Sequence, residues 1–381
     1  MELLSENSVP AEARAIKQQA REFASKEIKP AAPEHFKSGE YPAAVVEAAQ
    51  NAGFVGQEIS QEYGGQGRSL AQVVGTIEEF FRADAGIGLA ILGQSFGTGI
   101  LEEFGTHSQK EEFLRSVATG DATTGMAISE PETGSDLAGV ATRARKDGDG
   151  WVINGEKYWI GHGVSADWIT VYARTEDTDD RHSNHSLFIV PTDIAGYEAE
   201  HIPEKMGMRA SEQAHITFDG CRIPAEYLVG NRGDGFRMLA KFFNHGRTRV
   251  AGQGIGLAAA AIEEAWEFVH DREEFGQSVA DFQSVQHDLA EMRTEFESAR
   301  ALLWQAIDRV ESGDSSERWA SMAKLKATET ATDCAETAIQ LHGGRGIIDD
   351  SRISRVYRDA RNPVIYEGVS AIHRDIIYQN F

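Results

Sequence analysis

The sequence predicts a mostly α protein with an inserted β-domain, and three observations support that assignment. Apolar residues recur at helical spacing on both sides of a central stretch. The central stretch instead alternates short β-rich runs with turn residues. The chain of 381 residues exceeds one ordinary core and fits two or three domains of roughly 150 residues each. The expected division is an N-terminal α-helical domain over 1–122, a middle β-domain over 123–229 and a C-terminal α-helical bundle over 230–381.

In the first region Pro10 opens a helix through Ile16, Phe23 and Ile28, and Lys29-Pro30 is expected to stop it. A second helix begins near Pro42, places Val45, Val46 and Ala49 on one face and ends at Gly53. Glu62-Tyr63-Gly64-Gly65-Gln66-Gly67 is a glycine-rich turn, and helical patterning resumes from Leu70 through Phe80 and Phe81. Ala85 to Leu92 is small and apolar, as a buried helix close to another backbone or a ligand would be. A further helix runs from Lys110 to Ala118 and ends at Gly120.

The middle region reads as strands. Trp151 to Ile160 contains Asn154-Gly155, the preferred pair for a type I′ hairpin, so strand–turn–strand is expected there. Ile169 to Ala173, Leu187 to Val190 and His215 to Phe218 add short strands, and a small barrel or sandwich follows. After Gly230 the helices return and lengthen. Val285, Leu289, Met292 and Phe296 form one amphipathic stripe facing a bundle, and Ala320 to Leu341 has the same character. Val369 to Tyr378 reads as a closing helix.

Composition excludes several classes. The formal net charge is −23, which would repel nucleic acid and anionic membrane surfaces. No apolar run approaches the ~18 residues that cross a bilayer. The acidic first residues lack a signal peptide's basic start, so a cytoplasmic location is expected. Acidic residues are dispersed and Lys is scarce beside Arg, the pattern of a surface hydrated in concentrated salt; a halophilic cytosol is expected, and a stability optimum in low salt would refute it. Cys221 and Cys334 sit in no ligand pattern and read as reduced, buried thiols. His182 and His185 lie in a polar loop better explained without a metal, and no metal site is expected.

Several stretches could bear chemistry. Ala127 to Asp136 includes Ser129, Gly134 and Ser135, a donor-rich loop for a polar ring edge or a phosphate, or else an ordinary capped connection. Trp159-Ile160-Gly161-His162-Gly163 sets an indole beside bare backbone: an aromatic wall for a flat ligand, or a strand end. Asn244-His245-Gly246-Arg247 opens a helix punctuated by Gly252, Gly254 and Gly256, and Arg247 there needs an anionic or carbonyl partner. No strand precedes those glycines, so they are not a dinucleotide fingerprint. Arg272 beside Phe275 could grip a diphosphate and stack on a base, although Glu273 and Glu274 dilute the local positive field. Leu341-His342-Gly343-Gly344-Arg345-Gly346 is a glycine-rich turn, and Ile365-Tyr366-Glu367-Gly368 ends an apolar run in one carboxylate and a glycine.

Taken together and in order, these landmarks resemble the flavin-dependent acyl-CoA dehydrogenases over nearly the whole chain. The matching residues are Glu62-Tyr63-Gly64-Gly65, Ser129-Glu130-Pro131 with Gly134-Ser135-Asp136, and Asn154-Gly155 with Lys157 and Trp159-Ile160. Arg272 with Phe275-Gly276, Gly343-Gly344 with Gly346, and Ile365-Tyr366-Glu367-Gly368 complete the set. The resemblance implies an N-terminal α-domain, a middle β-barrel and a C-terminal four-helix bundle, assembled as a homotetramer. It implies FAD, with Met126, Ile128, Ser129, Ser135, Trp159 and Gly161 around the flavin. Arg272, Phe275, Gln283, Gln340, Gly343 and Gly344 would hold the diphosphate and adenosine, whose far end reaches a neighbouring subunit.

In such enzymes Glu367 would take the α-proton of an acyl-CoA, a hydride would pass to flavin N5, and electrons would go on to an electron-transfer flavoprotein. The thioester carbonyl would be held by the backbone N–H of the catalytic Glu and a ribityl hydroxyl, donors that act on the enolate-like transition state. Some members place the base at a position that here is Gly246, which cannot serve. Ser135, Asn244, Arg247 and Gly368 fall where substrate contacts are expected. The chain departs from the family at Gly161, where a Thr or Ser is usual, at Glu274 near the diphosphate, and at Val369 and Ala371, apolar replacements for polar FAD contacts. Two alternatives remain open at this stage: a flavin oxidase on the same scaffold, and a catalytically weak CoA- or flavin-binding paralogue.

Overall fold

The structure is a computed structural model that describes residues 9–313, 316–349 and 351–381. Its first region is helical. Helix α1 (Ala11–Phe23) passes through a π-helical segment (Ala24–Ile28) directly into α2 (Lys29–Ser38), so Pro30 does not stop the helix as the sequence predicts. The wider π-turn resets the hydrogen-bond register, and Pro30 falls in the first turn of α2, where its missing N–H costs least. The stop comes at Gly39, left-handed at φ 72°. Helices α3 (Ala43–Asn51), α4 (Leu70–Ala83), α5 (Ala85–Gly93), α6 (Thr98–Phe104), α7 (His107–Gln109) and α8 (Arg115–Thr119) follow. Ser69 caps α4 reciprocally with Gln72, and the Asp84 carboxylate accepts from Ile87 N–H to start α5. A buried ion cluster ties α1 to α4: Lys17 Nζ lies 2.5 Å from Glu78 and 2.6 Å from Glu79.

The middle region forms one eight-stranded mixed sheet of β1 (Thr124–Ala127), β2 (Arg143–Asp147), β3 (Gly150–Ile160), β4 (Trp168–Arg174), β5 (His185–Pro191), β6 (Tyr197–His201), β7 (Ala214–Pro224) and β8 (Leu228–Val229). The order is β6-β7-β3-β2-β4-β5-β8, with β1 parallel to β4. The predicted Asn154-Gly155 hairpin is absent. β3 runs straight through it, with a register shift against β7 between Ile153 and Gly155. Gly155, at φ 143°, lets Thr142 cross close: a Cβ there would stand 2.6 Å from Thr142 Oγ1. The tight turn is instead Asp147-Gly148-Asp149-Gly150, joining β2 to β3.

β1 and β2 both pair with β4, at Trp168–Val171 and at Arg174 respectively. The chain between them is therefore an excursion from the sheet, and it contains Ser129 to Gly139. Glu130 anchors it. Its carboxylate accepts from the N–H groups of Ala141 (2.7 Å) and Thr142 (2.9 Å) and from the fully buried Lys157 ammonium (2.9 Å).

In the last region α9 (Gly235–Asp271) is 37 residues long and packs on α4. After a two-stranded hairpin of β9 (Glu273–Glu274) and β10 (Gln277–Ser278) come α10 (Gln283–Ser312) and α11 (Ser316–His342), which pack with α9. Helices α12 (Arg352–Ala360) and α13 (Ser370–Gln379) close the chain against α11. Asn244 to Arg247 thus lie inside α9 and do not open it, because the helix starts at Gly235 on its own short loop. Gly254 and Gly256 serve helix packing: a Cβ would meet Ala327 O on α11 at 2.7 Å and Glu78 O on α4 at 2.5 Å. Of the predicted stripe on α10, Met292 and Phe296 are buried and Leu289 is partly buried, while Val285 stays at the half-exposed end.

Candidate active site

Three elements meet at Glu367: the turn between α12 and α13, helix α9 and helix α11. The turn places Glu367 at φ 54° and Gly368 at φ 98°, two successive left-handed residues. Glu367 faces the bare backbone of Gly246 on α9: a Cβ built on Gly246 would lie 2.7 Å from Oε2 and 3.2 Å from Cδ. The residue keeps partial exposure, yet its Oε2 is enclosed and has no hydrogen-bond partner among the described residues. Burial drives the carboxyl pKa up to about 7, against the opposing pull of Arg247, Arg249 and Lys324. No backbone acceptor among the described residues takes the Glu367 N–H.

Arg247 is buried at 8% exposure on the same helix. Its Nη1 donates to Asn244 Oδ1 at 3.2 Å and lies 4.0 Å from Glu317, and its guanidinium stands 6.0 Å from the Phe243 ring centroid. Desolvation lowers its pKa, with Glu317 and Glu367 acting the other way. The second amide end of Asn244 donates to Ser316 at 3.2 Å, so Asn244 also orients Arg247. Tyr366 closes the floor: its hydroxyl donates to Gln253 Oε1 at 2.5 Å. Lys324 of α11 is fully buried and donates to Gly368 O at 2.6 Å, and the buried His373 ring packs on Gly368 from α13.

The second group of predicted residues gathers where β1 and the end of β3 run together. A Cβ on Gly125 would stand 2.5 Å from Gly161 O, and Tyr158 N–H donates to Ser129 O at 2.9 Å. Met126 is buried beneath this edge, while Ile128 and Ser129 are partly exposed above it. Trp159 adopts φ 66° and is 58% exposed. A large indole held on left-handed backbone in the open has the shape that could receive a flat ring. Gly161 has nothing nearer than Glu212 O at 4.0 Å from a built Cβ, so no packing demands glycine there. Ser135 is exposed on the excursion, beside Asp136, which pairs with Arg181 at 2.7 Å.

A third group lies at the far end of α9. Phe275-Gly276, at φ 53° and 80°, form the two-residue turn of the β9–β10 hairpin, and Phe275 is 94% exposed. Arg272 forms an ion pair with Glu274, so its charge is already engaged within the chain. Gln283, Gln340, Gly343 and Gly344 are exposed, and a Cβ on Gly343 or Gly344 would meet no described atom within 4 Å. Phe268 stacks on His342 at 4.3 Å and so brings the end of α9 to the end of α11. Val369 caps α13 without a side-chain hydrogen bond, and Ala371 lies in its first turn. Among the described residues no cluster of His, Cys, Asp and Glu could hold a metal ion, and no helix is long and apolar enough to cross a membrane.

Sequence reading missed Lys324, His373 and Gln253. Each sits on a helix whose spacing says only that it is a helix. The one available signal for Lys324 was a lysine on the apolar side of α11, flanked by Ala320, Ala323 and Ala327.

A helical region, a β-region and a helical bundle follow one another along the chain, and the bundle encloses a carboxylate of raised pKa. Three family descriptions match in succession: the N-terminal domain of acyl-CoA dehydrogenases over residues 10–121, the middle domain over 125–221 and the C-terminal domain over 233–381. A 3-(aryl)acrylate reductase of Clostridium sporogenes is 36% identical over 96% of this chain and 97% of its own. The short-chain specific acyl-CoA dehydrogenase of Mus musculus mitochondria is 35% identical over 95% and 88%. Among solved structures, butyryl-CoA dehydrogenase from Megasphaera elsdenii superposes with TM-score 0.93 at 28% identity, covering 99% of both chains. A chain from work on the electron transferring flavoprotein of Acidaminococcus fermentans gives TM-score 0.94 at 31% identity, again over 99% of both.

The chain belongs to the acyl-CoA dehydrogenase family. It is an oxidoreductase of the acyl-CoA dehydrogenase type, and the family's members are FAD-dependent flavoproteins.

Proposed function

We propose that the protein dehydrogenates an acyl-CoA thioester between Cα and Cβ to the trans-2-enoyl-CoA, with Glu367 as the base. The observation that supports this best is the enclosed Glu367 carboxylate, raised to about 7 and set against bare helix backbone at Gly246. A carboxylate at its ordinary pKa is too weak a base for a thioester α-proton, and desolvation narrows that gap. The Glu367 N–H, which no described backbone group accepts, is available to the thioester carbonyl and would stabilise charge developing there. Gly368 keeps the approach to that N–H free of a side chain. Arg247, held by Asn244, fixes a positive charge beside the site without forming a close ion pair with the base.

The residues fit FAD. Trp159 offers an exposed ring platform next to the β1 edge that carries Met126, Ile128 and Ser129 and next to the backbone of Gly161, and we assign Ser135, exposed on the excursion, to the same cofactor. Bound FAD would accept the β-hydrogen as hydride and pass the electrons to an electron-transfer flavoprotein. Arg272 lies about 25 residues along α9 from Arg247, roughly 37 Å at 1.5 Å per residue. Arg272, Phe275, Gln283, Gln340, Gly343 and Gly344 thus lie far from the base of their own chain and are exposed, Arg272 partly; we assign them to the cofactor of a neighbouring copy in a homotetramer.

The test is anaerobic titration of the FAD-loaded protein with a panel of acyl-CoA thioesters of increasing chain length. Bleaching of the flavin, lost in Glu367→Gln while FAD is retained, is expected. Full activity in Glu367→Gln would overturn the assignment of the base. Reoxidation by oxygen as fast as by an electron-transfer flavoprotein would favour an oxidase instead.

A further inference from the structure

The sequence offers no reason for Lys324 to be buried, and the packing offers little. Its exposure is 0%, and enclosing an ammonium costs several kcal/mol relative to an apolar side chain of the same length. Among the described residues no carboxylate forms an ion pair with it. Among the described residues its ammonium makes one hydrogen bond, to the backbone carbonyl of Gly368 at 2.6 Å.

That carbonyl belongs to the strained part of the site. Glu367 at φ 54° and Gly368 at φ 98° are consecutive left-handed residues, and the first has a Cβ. Such a pair holds its shape only where neighbours over-determine it. Lys324 grips the turn from α11. From α13 the His373 ring closes the opposite side: it is fully buried, and a Cβ on Gly368 would stand 3.0 Å from its Nε2. From α9 the bare Gly246 backbone limits the carboxylate itself.

We infer that Lys324 is a positioning residue for the Glu367 base: its ammonium clamps the Gly368 carbonyl, fixes the left-handed turn and sets the charge behind the carboxylate. This rests on the dehydrogenase reading only for its effect on turnover. The groups that face Glu367 are Arg247 and Arg249 from α9, Lys324 from α11, and Tyr366 and His373 beside the turn. Burial, aided by Lys324 and Arg247, drives His373 down to about 3, so the ring is neutral and adds no charge. Burial also brings Lys324 down to about 8, with Glu367 opposing the fall. Near pH 7, where Glu367 is losing its proton, Lys324 still holds most of its own, and the two titrations overlap above that.

Lys324→Met retains length and removes the charge and the donor. Two readouts decide. In the FAD-loaded protein, turnover with the best acyl-CoA should fall on the order of 100-fold with KM changed only a few-fold, as for a misplaced base. In the same protein labelled with carboxyl-13C glutamate, the Glu367 resonance, assigned by its loss in Glu367→Gln, should titrate about one unit higher. Unchanged turnover together with an unchanged carboxyl midpoint overturns the inference. A wild-type protein that no acyl-CoA bleaches would refute the dehydrogenase reading alone, since the carboxyl titration still decides the role of Lys324. Should Lys324→Met not fold, Lys324→Gln keeps a donor for Gly368 O, and its carboxyl midpoint must also rise; a midpoint at the wild-type value overturns the inference.

Discussion

Gly246 and Glu367 are in contact: the carboxylate of one occupies the volume that any side chain on the other would need, with 2.7 Å between a built Cβ and Oε2. Helix α9 therefore forms one wall of the base's position. Gly246→Ala should leave the helix intact or slightly stabilised by propensity and push Glu367 out of place. The flavin-bleaching rate is expected to fall about 100-fold, the cost of roughly 1 Å of misplacement, with little change in FAD content. An unaltered rate would show that the carboxylate works from elsewhere.

The pH profile of kcat/KM should follow ionisation of Glu367. The base acts as the carboxylate, and its pKa is raised to about 7, so the rate climbs about tenfold per unit below pH 7 and then levels, before falling again as Lys324 loses its proton near 8. Stopped-flow reduction between pH 5.5 and 9 measures this. A profile already flat at pH 5.5 would contradict the raised value.

The same shift has a stability consequence of opposite sign. The folded pKa of Glu367 exceeds the ordinary 4.5, so between those values the native state binds the extra proton. Stability is lost as pH rises from about 4.5 to 7 and is constant beyond. Glu367→Gln does not titrate, so its advantage over wild type in urea unfolding should grow from pH 4.5 to pH 8, by at most about 3 kcal/mol. A constant difference across that range would refute the linkage.

Val369 stands at the N-cap of α13 in an extended conformation, φ −65° and ψ 157°, and offers no side-chain acceptor. Val369→Thr should supply one and stabilise the protein by about 1 kcal/mol, read as a higher urea midpoint. If the hydroxyl also reaches FAD, the flavin dissociation constant falls in the same variant.

The three-part layout was legible because periodicity changes sharply near residues 123 and 230, and periodicity is what burial imposes on a sequence. Glu367 was legible because it ends an apolar run before a glycine in a set of ordered landmarks. Elsewhere a local signal yielded to its surroundings. Asn154-Gly155 has the chemistry of a hairpin turn, but the positive φ of Gly155 is used to pass Thr142. Pro30 has the chemistry of a helix stop, but a π-segment before it absorbs the missing donor. His373 left no local trace and Lys324 only its alanine neighbours on α11, since what singles both out is the backbone they touch from distant helices.

Helix α9 holds Arg247 beside the base about a third of the way along its length and delivers Arg272 just past its end, roughly 37 Å away at 1.5 Å per residue. With Arg272 assigned to the cofactor of a neighbouring copy, damage at the two places should complement. Refolding a Glu367→Gln chain together with an Arg272→Ala chain would produce assemblies in which some sites draw the base from one parent and the arginine from the other. Each parent alone has no intact site, whereas the hybrid regains a fraction set by the statistics of mixing.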